Sequence, residues 1–212
     1  GESALVNALL PQGAWPMPSD AAVDPVTALR VASDVGVSLF DVTSDIVRND
    51  RTLDVAMMYF GDLDIISHAY YPYRFPEDFP LRPPARADVA VLGPVMDRYL
   101  QWFDGRLGEL IRSFPTPPNV IVVSDHGFEA ANHVTLWRGW HSPRGIFLAA
   151  GPGIAHDATV RDVSYFDIVP TMLDLLDLKP ALDLGGHSVI SIDPSAVAMA
   201  SEPNARGRSS VP

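Results

Sequence analysis

The stretch Asn119-Val120-Ile121-Val122-Val123-Ser124-Asp125-His126-Gly127 decides how the chain is read. A short β-branched run, closed by a polar pair and a glycine, predicts a strand buried on both faces. Two further runs have the same character: residues 53–60 (LDVAMMYF), stopped by Gly61, and residues 145–150 (GIFLAA), closed by Gly151-Pro152-Gly153. Between and after them lie helical patterns. In residues 94–113 the apolar positions Met96, Tyr99, Leu100, Phe103, Leu107, Leu110 and Ile111 recur at three and four, with Pro94 in the first turn. Residues 167–177 (DIVPTMLDLLD) predict a second amphipathic helix, with Pro170 inside its first turn.

Buried strands alternating with amphipathic helices imply a layered α/β fold whose sheet is largely parallel and flanked by helices. Residues 1–24 read as an irregular lead-in, and residues 25–50 as one or two short helices broken at Gly36. Residues 70–84 (YYPYRFPEDFPLRPP) carry too many prolines for a helix and predict a long loop. The expected division is a lead-in over 1–52, an α/β core over 53–192 and a disordered tail over 193–212.

Composition narrows the chemistry. The 212 residues hold 15 Lys+Arg against 26 Asp+Glu, a formal net charge of −11, with 47% hydrophobic residues. The apolar content is that of a globular chain. An acidic balance without a basic run argues against a nucleic-acid-binding surface. It leaves phosphate chemistry open, since bound cations reverse the local sign in a pocket. There is no cysteine, which excludes disulfides, thiolate catalysis and Cys-based zinc sites, so any metal is held by His, Asp or Glu. No apolar run reaches the ~18–20 residues of a membrane span.

Candidate ligands sit where ligand sites of parallel α/β sheets are expected, at strand ends. Asp64 and His68 are four residues apart, which on a helical turn places a carboxylate and an imidazole on one face. Asp125 and His126 end the 119–124 run, where a desolvated pair needs partners, either a metal ion or each other. His141 precedes the 145–150 run on an expected loop, with His133 and Trp137 in the same region. His156 and His187 read as surface histidines. Two carboxylates and three imidazoles suit a pair of borderline divalent cations: zinc, or manganese or iron. The alternative is a buried Asp–His hydrogen-bond network without metal.

The order Asp-x-x-x-His (64–68), apolar strand–Ser-Asp-His-Gly-Phe (120–128), His-x-Pro-x-Gly-Ile-Phe-(x)3-Gly-Pro-Gly-Ile (141–154) and Asp-Ile-x-Pro-Thr-Met-Leu-x-Leu-Leu (167–176) resembles the alkaline phosphatase superfamily. Within it the chain is most similar to the type I phosphodiesterase/nucleotide pyrophosphatase branch, over residues 53–190. The resemblance implies an alkaline-phosphatase-like fold and hydrolysis of phosphodiester or pyrophosphate bonds in a small-molecule phosphate ester. It also implies two metal ions about 4 Å apart. Asp64, His68 and His141 would hold one ion, and Asp125 and His126 part of the shell of the other. Tyr70, Tyr71, Tyr73 and Arg74, just after His68, are candidates to contact the substrate's organic group. A phosphomonoesterase, a phosphonoacetate hydrolase-like enzyme and a cofactor-independent phosphoglycerate mutase would share the same ligands.

One family feature has no counterpart. The Ser or Thr nucleophile and a further Asp come from an N-terminal segment of strands; Thr27, Ser33, Ser38, Thr43 and Ser44 follow no buried strand. The chain therefore reads as the C-terminal part of a longer enzyme, with an incomplete sheet whose open edge invites self-association. The competing reading is an inactive fragment or degenerate relative acting as a metal- or partner-binding module.

Overall fold

A computed structural model describes residues 2–10, 24–133 and 136–190. It is a mixed α/β chain that divides into two compact units. The first holds the chain up to Thr116 together with His126–Arg144; the second holds Pro117–Asp125 and the chain from Gly145 onward.

The first unit is built on helices α1 (Glu2–Leu9), α2 (Pro25–Asn49), α3 (Asp62–Arg74) and α4 (Arg86–Ser113). Their apolar stripes meet in a core of Val6, Leu9, Leu29, Ile66, Tyr70, Tyr73, Leu92 and Tyr99. A second cluster gathers Phe40, Val47 and Leu110, with Met58, Phe60, Trp102 and Phe103 packed against it. Two buried tyrosine hydroxyls reach backbone carbonyls of α2: Tyr70 donates to Pro25 O at 2.7 Å, and Tyr99 lies 2.9 Å from Ala32 O. A hairpin of β1 (Gly127–His133) and β2 (Leu136–Ser142) completes this unit, with Phe128 opposite His141 and Ala130 opposite Gly139.

The helices correct the expected lead-in and loop. Residues 2–9 form a helix whose Val6 and Leu9 are buried. Residues 25–49 form one helix, not two, started by Asp24, whose side chain accepts from Val26 N. Gly36 does not break it, because it serves packing: a Cβ there would lie 2.7 Å from Asp62 Oδ2 and 2.8 Å from the Tyr99 hydroxyl. The expected loop over 70–84 begins inside α3, which tolerates Pro72 in its last turn, followed by a short 3-10 turn at Pro76–Asp78. Helix α4 likewise starts eight residues before Pro94.

The second unit holds β3 (Val120–Ser124), β4 (Ile146–Ala150) and α5 (Tyr165–Leu175). β3 pairs with β4 antiparallel, Val120 opposite Ala150 and Ser124 opposite Ile146. α5 opens with a capping box between Ser164 and Asp167. Asp167 also accepts from His187 N at 3.0 Å, and Thr171 Oγ1 from Val189 N at 3.2 Å, fastening the following segment.

A largely parallel sheet is not what the described strands form: both pairs are antiparallel. Parallel neighbours need a crossover connection, whereas the chain between β3 and β4 contains a hairpin. Nor are these strands buried on both faces, since Val123, Ile146 and Leu148 are 49%, 54% and 60% exposed. Residues 53–60 form no strand among the described residues. They alternate instead, with Met58 and Phe60 turned into the second cluster and Met57 and Tyr59 outward. The expected tail over 193–212 lies outside the described residues.

Candidate metal centre

Helix α3 brings the first two candidates together. Its N-terminal turn carries Asp62 and Asp64, carboxylates that the helix dipole favours there. One turn on, His68 Nε2 lies 3.5 Å from Asp64 Oδ1. The third candidate comes from β2. His141 Nε2 is 3.0 Å from Asp64 Oδ1 and 3.0 Å from His68 Nε2. The sequence places His141 on a loop; the structure places it on a strand, in register with Phe128.

Backbone carbonyls orient the rings. His68 Nδ1 lies 2.8 Å from Gly139 O, so this nitrogen carries the proton and donates it, leaving the Nε2 lone pair facing Asp64 and His141. His126 repeats the pattern, with Nδ1 3.1 Å from Gly127 O and Nε2 3.7 Å from Asp64 Oδ1. Its ring stacks on His141 with centroids 3.6 Å apart. Phe128 closes one side, its ring edge-on to His68, His126 and His141 at 5.0, 5.5 and 5.4 Å. All of these groups belong to the first unit.

The donor set fits a divalent cation. One carboxylate and two imidazoles are a common zinc set, and zinc bonds of about 2.0–2.2 Å at tetrahedral angles separate neighbouring donors by roughly 3.3 Å. The three donors here are 3.0, 3.0 and 3.5 Å apart, and each offers one ligand atom within 4.8 Å of the others. Two imidazole nitrogens at 3.0 Å also need a proton or a cation between them, because facing lone pairs repel. A backbone acceptor on the far nitrogen of a ligand histidine is the usual outer support of a metal site.

Asp62 is a different kind of carboxylate. It is fully buried, its Oδ2 lies 2.7 Å from the Tyr99 hydroxyl, and burial raises its pKa above the ordinary carboxylate value. The Tyr99 hydroxyl has one proton for two neighbours, Ala32 O and Asp62 Oδ2. A protonated Asp62 lets both contacts be hydrogen bonds at once.

Asp125, just after β3, belongs to the second unit and is exposed, its carbonyl accepting from the Tyr165 hydroxyl at 2.6 Å. Tyr70 and Tyr73 are core residues at 0% and 1% exposure, their rings packed in the first unit's core. Tyr71 is partly buried against Phe75 and Phe79, and Arg74 pairs with Asp97 at 2.9 Å. Thr27, Ser33, Ser38, Thr43 and Ser44 all lie on α2. His187 meets Asp167 at 3.3 Å. The His133 and Trp137 side chains lie outside the described residues.

A family model described as Type I phosphodiesterase / nucleotide pyrophosphatase matches residues 10–194. The chain belongs to this family. No curated protein and no solved structure matches it. At family level the reaction is phosphodiester or pyrophosphate hydrolysis, generally metal-dependent, on a phosphate ester. Among the described residues no helix is long and apolar enough to cross a membrane.

Proposed function

We propose that the chain supplies most of the protein ligands of a two-metal site that hydrolyses a small-molecule phosphate ester, with zinc as the preferred ion. Asp64, His68 and His141 hold the first ion. His126 and its sequence neighbour Asp125 are assigned to the second on the strength of the sequence pattern. The observation that carries this reading is the convergence of one carboxylate oxygen and two imidazole nitrogens within 3.5 Å of one another. When bound, the ions supply Lewis acidity toward phosphoryl oxygens and activation of an oxygen nucleophile. The residues' own work is to fix the donors' geometry and, through Phe128, to keep one side of the centre apolar.

The fold that goes with this reading is alkaline-phosphatase-like, with residues 53–192 as the metal-binding core. The apolar side chains exposed on the antiparallel pair of β3 and β4 support self-association through that pair. The placement of every Ser and Thr of 25–49 on helix α2 favours a second reading, a metal- or partner-binding module without turnover.

Hydrolysis of an aryl phosphodiester by the purified chain with added zinc tests the proposal. The expected result is weak turnover, abolished by chelator and by Asp64→Asn. Hydrolysis that survives both would overturn the metal assignment. Robust turnover would overturn the claim that α2 supplies no nucleophile. Zinc binding with no turnover at all would favour the second reading.

A further inference from the structure

We propose that Gly139 is a positioning residue for the centre, acting through both its missing side chain and its carbonyl oxygen; this rests on the metal-site reading above. Gly139 is buried where β2 crosses α3. A Cβ at this position would lie 2.5 Å from Ser67 O and 2.7 Å from Tyr71 Cβ, the first of these a backbone atom of the helix that cannot step aside. Only glycine admits the strand this close.

The close approach has a chemical consequence at each of two neighbours. On the helix, the Gly139 carbonyl reaches His68 Nδ1 at 2.8 Å, fixing the tautomer whose Nε2 lone pair faces the centre. On the strand, His141 lies two residues further on and so presents its side chain to the same face of the hairpin as position 139. The helix–strand spacing at Gly139 therefore sets the 3.0 Å separation between the Nε2 atoms of His68 and His141. A side chain at 139 would lengthen that separation and weaken the carbonyl contact together. The packing role and the chemical role are one geometric fact.

Phe128 shares in this. Its Cδ1 is the third atom that a Cβ at 139 would meet, at 3.1 Å, and its ring lies edge-on to His68. The ring packs against both the glycine and the imidazole.

The test uses the metal-free chain first. Nitrogen-15 correlation spectra at about pH 8.5, two units above an ordinary imidazole pKa of about 6.5, report which His68 nitrogen carries the proton. The wild-type chain is expected to show it on Nδ1. A proton on Nε2, or an even mixture of tautomers, would overturn the proposal whether or not Gly139→Ala folds. In Gly139→Ala, zinc affinity by calorimetry is expected to fall about 10–100-fold, the range for lost outer support of a ligand, and the His68 tautomers to mix. A folded Gly139→Ala chain with unchanged affinity and an unchanged His68 spectrum would also overturn it. Should the wild-type chain bind no zinc, the metal reading fails, and the tautomer measurement still decides the role of Gly139.

Discussion

The two units use similar apolar sequence to different ends. In the first, α2, α3 and α4 bury Leu29, Phe40, Tyr70, Leu92 and Tyr99 completely, and the hairpin carrying His141 docks on α3. In the second, a two-stranded sheet leaves Val123, Ile146 and Leu148 about half exposed. Two strands alone are marginal without a covered face. An apolar run therefore marks where burial is available in a chain, not where it has been achieved. The first unit has the packing density to hold ligand atoms at fixed spacing, and the four converging metal-ligand candidates lie there.

That contrast can be broken at several points. Phe40→Ala removes a ring packed against Phe60, Trp102 and Phe103, and should cost about 3–5 kcal/mol in denaturant unfolding. A loss below about 1 kcal/mol would show that the first unit is no better packed than the second. Tyr99→Phe should cost about 1–3 kcal/mol, because it leaves buried Asp62 and Ala32 O without their shared hydroxyl.

In the second unit the informative change is with pH. Backbone N–H groups of Ser164 and then His187 hold the Asp167 carboxyl below the ordinary value. A depressed folded-state pKa means that the stabilisation is whole above about pH 3.9 and is lost as pH falls through the folded value. The His187 amide resonance should titrate in that acid window and lose its response in Asp167→Ala. Smallest of all, Leu148→Thr should change stability by no more than about 0.5 kcal/mol, while reducing any concentration-dependent association seen by light scattering. A large loss of stability would mean that this sheet face is covered.

Much of the site was legible because its ligands follow local rules. Asp64 and His68 sit four apart on a helix turn, a spacing that is weak alone and gains its meaning beside Asp125, His126 and His141. The strand before Asp125-His126 was readable for the same reason, and so was the last helix, although its start at Tyr165 after the Ser164 cap precedes the expected Asp167. The hairpin was not. Its second strand alternates, with Gly139 and His141 on one side and Arg138 and Trp140 on the other, but no Asn-Gly or Asp-Gly pair announces a turn before it. Gly36 misled for a physical reason: a glycine in sequence suggests a break, whereas here, as at Gly139, it allows close approach between distant elements. Tyr70 and Tyr73 look like pocket residues by their nearness to His68, yet helical periodicity turns them to the core. The direction of strand pairing is set by what lies between β3 and β4, and a run of apolar residues carries no information about it.

The central claim is that Asp64, His68 and His141 form one coordination sphere. X-ray absorption at the zinc edge of the zinc-loaded chain tests it most directly. The account predicts nitrogen and oxygen scatterers at about 2.0–2.1 Å, with outer-shell imidazole scattering that diminishes in both His68→Ala and His141→Ala. Zinc that is not retained, or a spectrum without imidazole scattering or indifferent to both substitutions, would contradict it.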